Sequence, residues 1–211
     1  MSVKSMVLGP VETNVYFLIN DETKETLLFD PAYAGERIQR YLEDNGLILK
    51  AIFLTHGHFD HITGVSSVRE ALKVPVYAAK SEERLLLDGE LNESLEGYGY
   101  SVTVKPDRLL SDGEETDIAG MKIRMIETPG HTEGSCCYYH EDGKALFSGD
   151  TLFAGSVGRT DLPTGSMKQL ISSIENKLML LPDDVDVYPG HGGFTTIGYE
   201  RKWNPFFGFD S

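Results

Sequence analysis

The feature that most limits the fold is the heptapeptide THGHFDH at residues 55–61, which continues an apolar run. That run, AIFLT at 51–55, has the length and composition of a buried β-strand. Three of the six histidines of the chain crowd into the heptapeptide beside an aspartate, a density of ligand groups that predicts a metal site. The fold therefore has to hold this turn rigidly at the end of a strand.

Further ligand-type residues also come at the ends of predicted strands, each beside a glycine that lets the backbone pass close to a crowded site. His140 lies in or just after a strand without such a setting, and we expect it to be a bystander. The candidates are His131 after MKIRMIET (121–128), Asp150 at the end of KALFSGD (144–150) and His191 at the end of DVDVYPGH (184–191).

One ion cannot accept all these side chains and still leave a position for substrate, so we predict two ions that share a bridging carboxylate, Asp150. Imidazole and carboxylate ligands suit zinc, iron, manganese or cobalt, and the lack of thiolate argues against a closed structural zinc site. The predicted cofactors are two divalent ions, zinc first, with iron or manganese as alternatives. We assign His56, His58 and His131 to the first metal, and Asp60, His61 and His191 to the second.

Strand-like and helix-like stretches alternate along the chain, without repeats or a linker, which predicts one domain over residues 1–211. The pattern suits two facing sheets with helices outside, and residues 90–120 are left unassigned. The first half predicts strands at 15–19, 26–30, 51–55 and 74–79 and helices at 35–46, 63–73 and 81–89. The second half predicts strands at 121–128, 135–140, 144–150 and 184–191, a loop at 153–165 and a helix at 166–181.

The charge and the amino-acid composition of the chain limit the partners that we expect it to bind. A net charge of −14 and a pI near 4.8 disfavour nucleic acid and anionic membranes. The N-terminus has no signal-peptide pattern, and no run approaches a membrane span. The adjacent Cys136 and Cys137 cannot form a disulfide framework and are expected to be buried. We expect a cytoplasmic protein with a small-molecule substrate, and the oligomeric state stays open.

The motifs together resemble the metallo-β-lactamase fold hydrolases, over nearly the whole chain. The ligand pattern is most similar to the glyoxalase II (hydroxyacylglutathione hydrolase) branch and its short, single-domain relatives, without the helical C-terminal domain that binds glutathione in the full-length enzymes. The resemblance implies a mixed α/β (α+β) fold, an αββα sandwich of two mixed β-sheets with helices on the outer faces. It also implies that the metals lie at one edge of the sheets and that Asp30 orients a metal-binding loop. The motifs are Asp30-Pro31, THGHFDH at 55–61, TPGHT at 128–132, GDTLFAGSVGRTD at 149–161, PGHG at 189–192 and TTIGYERKWNP at 195–205.

This centre predicts hydrolysis. A water shared by two cations loses a proton near neutral pH, the first metal polarises a carbonyl, and Asp60 directs the hydroxide. A thiolate leaves without a general acid whereas an amide nitrogen needs one, which favours a thioester such as S-D-lactoylglutathione or a lactone over a peptide bond. Arg159 is a candidate for contact with a substrate carboxylate, and the alternative for it is a salt bridge with an acid such as Asp161.

Other functions stay open. A persulfide dioxygenase of the same branch would use one iron held by His56, His131 and Asp150, with positions open for oxygen. Lactone or other ester hydrolysis is a further alternative, and β-lactam cleavage is the least favoured without a signal peptide. A nuclease is disfavoured by the charge, and a degenerate scaffold is disfavoured because all seven ligand residues are present.

Overall fold

The first β-sheet comes from the N-terminal half of the chain, in the computed structural model that describes residues 1–207. Its six strands follow one another in space as in sequence. The first three pair antiparallel and the last four pair parallel, so the sheet is mixed. The strands are β1 Ser2–Leu8, β2 Thr13–Ile19, β3 Glu25–Phe29, β4 Ile48–Leu54, β5 Val76–Ala79 and β6 Arg108–Leu110.

The second sheet comes from the C-terminal half and is also mixed. Its order is β14-β13-β10-β9-β8-β7, with one parallel pair, β10 with β13, among antiparallel neighbours. A small two-stranded sheet, β11 with β12, spans residues 152–157 and overlaps most of the way with the predicted loop at 153–165, which is therefore not wholly irregular. The strands are β7 Glu115–Ile118, β8 Met121–Glu127, β9 Cys136–His140, β10 Ala145–Gly149, β11 Leu152–Phe153, β12 Ser156–Val157, β13 Asp186–Pro189 and β14 Thr195–Thr196.

Helices cover both outer faces, which confirms the predicted αββα sandwich. Apolar residues of α1 and α3 pack on the first sheet, and those of α6 and α7 pack on the second. Within residues 1–207, no helix is both long enough and apolar enough to cross a membrane. The helices are α1 Gly35–Asp44, α2 Phe59–Ile62, α3 Val65–Leu72, α4 Glu83–Leu86, α5 Ser94–Tyr98, α6 Met167–Asn176 and α7 Ile197–Trp203, with 3₁₀ turns at Lys80–Glu82 and Leu178–Leu180.

The alternation of side chains along buried strands divides the core into layers. In β3, Leu27 and Phe29 face the second sheet, whereas Leu28 faces the helices. Phe29 stacks on Phe147 of β10, with ring centroids 3.8 Å apart. The two sheets are thus joined by large aromatic contacts close to the strand ends that carry the ligand motifs.

The sequence placed most of these elements but missed some of them. Helix α6 begins after Ser166, whose hydroxyl accepts a hydrogen bond from the backbone N–H of Gln169, as expected of a cap. Strand β1 was not predicted because it is an edge strand with several exposed positions, which weakens its apolar pattern. The sequence pattern also does not predict helix α7, which lies inside the motif TTIGYERKWNP at 195–205.

Replacing Phe147 by alanine should lower the free energy of unfolding by about 3–5 kcal/mol, because the ring is buried and would leave a cavity between the sheets. Denaturant unfolding of the metal-free protein measures this change. Phe194→Ala is the control, since that ring is 64% exposed and its loss should cost no more than about 0.5 kcal/mol. Equal effects of the two substitutions would contradict the layered core.

Candidate metal centre

The loops after β4, β8, β10 and β13 meet at one edge of the sandwich, and they bring together all seven residues predicted as metal ligands. The first of these loops belongs to one sheet and the other three to the opposite sheet. The potential ligand atoms form overlapping groups within which all of them lie within 4.8 Å of one another. The groups are His56, His58 and His131; His56, His61 and Asp150; and Asp60, His61 and His191.

The first group consists of three buried imidazoles, His56, His58 and His131. Nδ1 of His58 lies 2.9 Å from Nε2 of His131. Two nitrogens bound to one tetrahedral zinc at 2.0–2.1 Å would lie about 3.3 Å apart. The two rings therefore face each other at nearly the spacing that a shared ion requires.

The second group combines two imidazoles with a carboxylate. Oδ2 of Asp60 lies 3.2 Å from Nε2 of His191 and 3.5 Å from Nε2 of His61. The hydroxyl of Thr13 donates to the same oxygen at 2.9 Å. Asp60 is thereby held in place by a residue of β2, outside the ligand set.

Asp150 lies between the two groups. Its Oδ1 is 3.3 Å from Nε2 of His61, and its Oδ2 is 3.6 Å from Nε2 of both His131 and His191. One carboxylate thus reaches imidazoles of both groups. This is the position that a ligand bridging two ions would need.

Asp30 fixes the orientation of His61 from behind. Its carboxylate accepts hydrogen bonds from the backbone N–H and the hydroxyl of Thr55, at 2.8 and 2.6 Å, and lies 2.9 Å from Nδ1 of His61. An Nδ1–H that donates to a carboxylate leaves the lone pair of Nε2 free for a metal. Asp30 therefore has the contacts expected of the orienting residue that the resemblance implied.

Similar contacts orient two more rings. Nδ1 of His56 lies 3.1 Å from the hydroxyl of Thr55, which itself donates to Asp30. Nδ1 of His131 lies 2.8 Å from the backbone carbonyl of Arg159 and donates to it, because a carbonyl can only accept. In both rings Nε2 is left facing the centre.

Several buried atoms at the centre have no hydrogen-bond partner among residues 1–207. A buried polar atom without a partner costs about 1–3 kcal/mol, so a cluster of them indicates a ligand that satisfies all at once. A cation fits, since every atom in the cluster can supply a lone pair. The atoms are Nε2 of His56 and His61 and Oδ1 of Asp150, whereas the ring of His58 faces the centre with its Nδ1.

The pKa values of the histidines differ between the two groups. Burial, with the neighbouring imidazoles, lowers the pKa of His56 well below its usual value and that of His58 to about 3. Burial also acts to lower the pKa of His61, but the carboxylates of Asp60, Asp150 and Asp30 outweigh it and raise that pKa well above normal. His56 and His58 are therefore neutral, whereas His61 and the carboxylates of Asp60 and Asp150 form an ion cluster in the absence of metal.

The carboxylates of the cluster have lowered pKa values, the opposite of the shift at His61. Burial acts to raise the pKa of Asp60 and of Asp150, but His61 and its neighbours outweigh burial and lower both values. The pKa of His191 is raised, because the carboxylates of Asp60 and Asp150 outweigh its burial. Both aspartates are therefore ionised at neutral pH and ready to act as ligands.

Arg159 forms an ion pair with Asp161, which was the predicted alternative to contact with a substrate carboxylate. Its guanidinium donates to both oxygens of Asp161, at 2.8 and 2.7 Å, and the two side chains are exposed. Its backbone carbonyl, which accepts from His131, is its contact with the centre. His140 lies outside the centre, and its Nδ1 donates to the carbonyl of Lys122.

Glu82 is a residue of this region that sequence reasoning missed. Its carboxylate is buried and accepts hydrogen bonds from the backbone N–H groups of Gly57 and Gly134, at 2.8 and 2.9 Å, and from Thr132. Burial raises its pKa to about 7. In the sequence it stands in a charged stretch at the start of a predicted helix, which gave no sign of burial.

The geometry and the fold agree with one family. The sequence model of the metallo-β-lactamase superfamily matches residues 8–191. The chain belongs to this superfamily. The predicted superfamily and fold are thereby confirmed. The sandwich edge described above is where this superfamily member gathers its histidines and aspartates.

Two curated relatives in the superfamily match almost end to end. A probable metallo-hydrolase, YqgX, from Bacillus subtilis is 42% identical over 207 residues, which cover 98% of this chain and 97% of the relative. The hydroxyacylglutathione hydrolase GloC of Haemophilus influenzae is 36% identical over 192 residues, 90% of each chain. This superfamily member is therefore similar to a probable metallo-hydrolase and to a hydroxyacylglutathione hydrolase over at least 90% of its length.

Two solved structures are also similar. The crystal structure of BLEG-1 B3 metallo-β-lactamase superposes with a TM-score of 0.92 at 43% identity, covering 97% of this chain and 99% of that one. The crystal structure of TTHA1623 in a di-iron-bound form superposes with a TM-score of 0.85 at 36% identity, covering 97% and 100%. At least one protein of similar structure thus holds two iron ions.

Asp30→Asn should weaken metal binding about 10–100-fold. The asparagine carbonyl would stay with the backbone N–H of Thr55, so its amide would donate to Nδ1 of His61 and move the ring proton to Nε2. Competition with a chromophoric chelator measures the affinity. Asp21→Asn, which removes an exposed carboxylate bonded to Ser2, should leave it unchanged, and unchanged affinity in both variants would contradict the orienting role.

Metal binding at pH 7 should release protons, because His61 and His191 have raised pKa values and must be neutral to act as ligands. Affinity should therefore rise with pH until both rings are deprotonated. Calorimetry in buffers of different ionisation enthalpy counts the protons. His191→Ala should reduce the number released, and an affinity independent of pH would refute the ion cluster.

Proposed function

We propose that this protein is a dinuclear metal-dependent hydrolase that cleaves thioesters, with S-D-lactoylglutathione as the first substrate to test. The observation that carries the proposal is the convergence of unpartnered imidazole nitrogens and one carboxylate oxygen in a buried centre. The similarity to a hydroxyacylglutathione hydrolase over 90% of the chain supports this substrate class. The catalytic unit in this proposal is the single domain that the sequence predicts.

The proposed ligand sets follow the two groups. Zinc is the first choice, with iron or manganese as alternatives, because imidazole and carboxylate accept all three and one similar structure holds two irons. Two such cations, when bound, lower the pKa of a water between them and polarise an acyl carbonyl. His56, His58 and His131 would hold the first ion, Asp60, His61 and His191 the second, and Asp150 would bridge them.

Asp60 is the proposed catalytic carboxylate. Its pKa is lowered, so it is ionised at neutral pH and acts only as an acceptor. The hydroxyl of Thr13 donates to Oδ2 and fixes the direction of the other lone pairs. A carboxylate held in this way can accept a hydrogen bond from the attacking water and aim its oxygen at the acyl carbon.

The protonation states favour a leaving group that departs as an anion. Both Asp60 and Asp150 have lowered pKa values, so neither supplies a proton at neutral pH. A thiol with a pKa of about 8.5 leaves as thiolate without help, whereas an amide nitrogen must be protonated. This difference supports thioesters, or lactones, over peptide bonds.

Contact between Arg159 and a substrate carboxylate stays a prediction. It would require the guanidinium to exchange Asp161 for the substrate, which is feasible because both side chains are exposed and such pairs contribute little to stability. Comparing the turnover of thioesters whose thiol parts differ in charge identifies the thiol part of the substrate, glutathione or another.

The test is thiol release from S-D-lactoylglutathione and simpler thioesters by protein loaded with zinc, iron or manganese. His58→Ala should reduce turnover to the background of free metal while the protein stays folded. His140→Ala is the matched control, since His140 is a buried histidine outside the centre and its loss should leave turnover intact. No release above background with any of the metals would sink the proposal.

Hydrolysis of β-lactams is a second candidate, favoured by the similarity to a structure described as a B3 metallo-β-lactamase. A chromogenic cephalosporin added to the same preparations tests it, and a kcat/KM above that for thioesters would reverse the order of the two candidates.

The metal content of the purified protein distinguishes both hydrolases from the persulfide dioxygenase. One iron per chain, with oxygen uptake on a persulfide substrate, would support the oxidative alternative instead.

A further inference from the structure

A short helical platform, residues 80–86, lies beneath two loops of the centre. It consists of the 3₁₀ turn Lys80–Glu82 and helix α4. The loop after β4 touches it at Gly57, between His56 and His58. The loop after β8 touches it at Gly134, which follows His131 by three positions.

The two contacts are too close for any side chain on the loops. A Cβ on Gly134 would lie 2.3 Å from the backbone nitrogen of Glu82, and a Cβ on Gly57 would lie 2.7 Å from a methyl carbon of Leu85. Real Cβ atoms do not approach other atoms so closely. Both loops therefore rest their backbone directly on the platform.

One carboxylate connects the loops to each other through the platform. Oε1 of Glu82 accepts from the backbone N–H of Gly57 at 2.8 Å and from the hydroxyl of Thr132 at 2.9 Å. Oε2 accepts from the backbone N–H of Gly134 at 2.9 Å and from the same hydroxyl at 3.0 Å. Both oxygens of a buried carboxylate are thus directed at segments that flank His56, His58 and His131.

We propose that Glu82 is a positioning residue for the first metal, because it sets the distance between the loop of His56 and His58 and the loop of His131. This inference rests on the proposed dinuclear centre and identifies what holds one of its two ion positions. The second group is held differently: Thr13 bonds Asp60, and Asp30 faces His61. Loss of the Glu82 clamp should therefore affect the first ion and spare the second.

Glu82→Gln keeps the shape of the side chain and removes one acceptor. The new amide group would face a backbone N–H of Gly57 or Gly134, leaving two donors opposed in a buried site. The loops would move apart by enough to relieve this contact. The expected result is a 10–100-fold loss of affinity for the first ion, the range typical of residues that orient metal ligands.

The two ion positions are separated by single-site backgrounds. His191→Ala leaves the first group complete, and His58→Ala leaves the second complete. Zinc affinity is measured in each background, with and without Glu82→Gln, by competition with a chromophoric chelator. Glu82→Gln should weaken zinc binding in the His191→Ala background and leave it unchanged in the His58→Ala background.

Matched variants separate positioning from general destabilisation. Glu83→Gln removes the same charge one residue further on, from a side chain without the clamp contacts, and should change neither affinity. Thr132→Val keeps Glu82 but deletes one donor to it, and should weaken zinc binding in the His191→Ala background to a smaller extent. If Glu82→Gln fails to fold, Thr132→Val carries the test.

The outcomes also distinguish this inference from the proposed function. Equal weakening in both backgrounds, no weakening in either, or a lower melting temperature of the metal-free protein without a change in affinity would overturn the role of Glu82. A wild-type protein that binds two ions but releases no thiol would remove the proposed function alone. A wild-type protein that binds no ion would remove both.

Discussion

The cost of burying imidazoles and carboxylates is the constraint on which the rest of this structure depends. The ligand groups lie at the edge of a sandwich whose core is otherwise apolar, and unpaired they would be expensive to remove from water. The fold meets that cost in two ways. It pairs Nδ1 of His56, His61 and His131 with fixed acceptors, and it directs Nε2 of the same rings towards a common centre.

Buried carboxylates outside the ligand set hold the segments around the centre. Asp30 bonds the start of the loop after β4, and Glu82 joins that loop to the loop after β8. Glu200 of α7 accepts from the backbone N–H of Gly155 and from the hydroxyl of Thr195, joining the turn between β11 and β12 to strand β14. The loops after β4 and β8 are therefore held together by hydrogen bonds from backbone and side-chain donors to one buried carboxylate.

The sequence revealed the candidate ligands because their density is local or their setting repeats. THGHFDH concentrates four of them, and His131, Asp150 and His191 each follow a strand and neighbour a glycine. Glu82 could not be found in this way. Its partners are 25 to 52 residues distant along the chain, and a glutamate in SEER looks like any solvated helix start. Burial of a polar group against remote backbone has no local pattern, so it became visible only once the loops were assembled.

The placement of the ligands on both sheets has a mechanical consequence. His56, His58, Asp60 and His61 follow a strand of the N-terminal sheet, whereas His131, Asp150 and His191 follow strands of the C-terminal sheet. A bound cation is therefore a cross-link between the two halves of the polypeptide, closing loops of many tens of residues. The free energy of metal binding adds directly to the free energy of unfolding of the native state. Removal of the metal would therefore make the chain easier to proteolyse, in addition to removing its proposed activity.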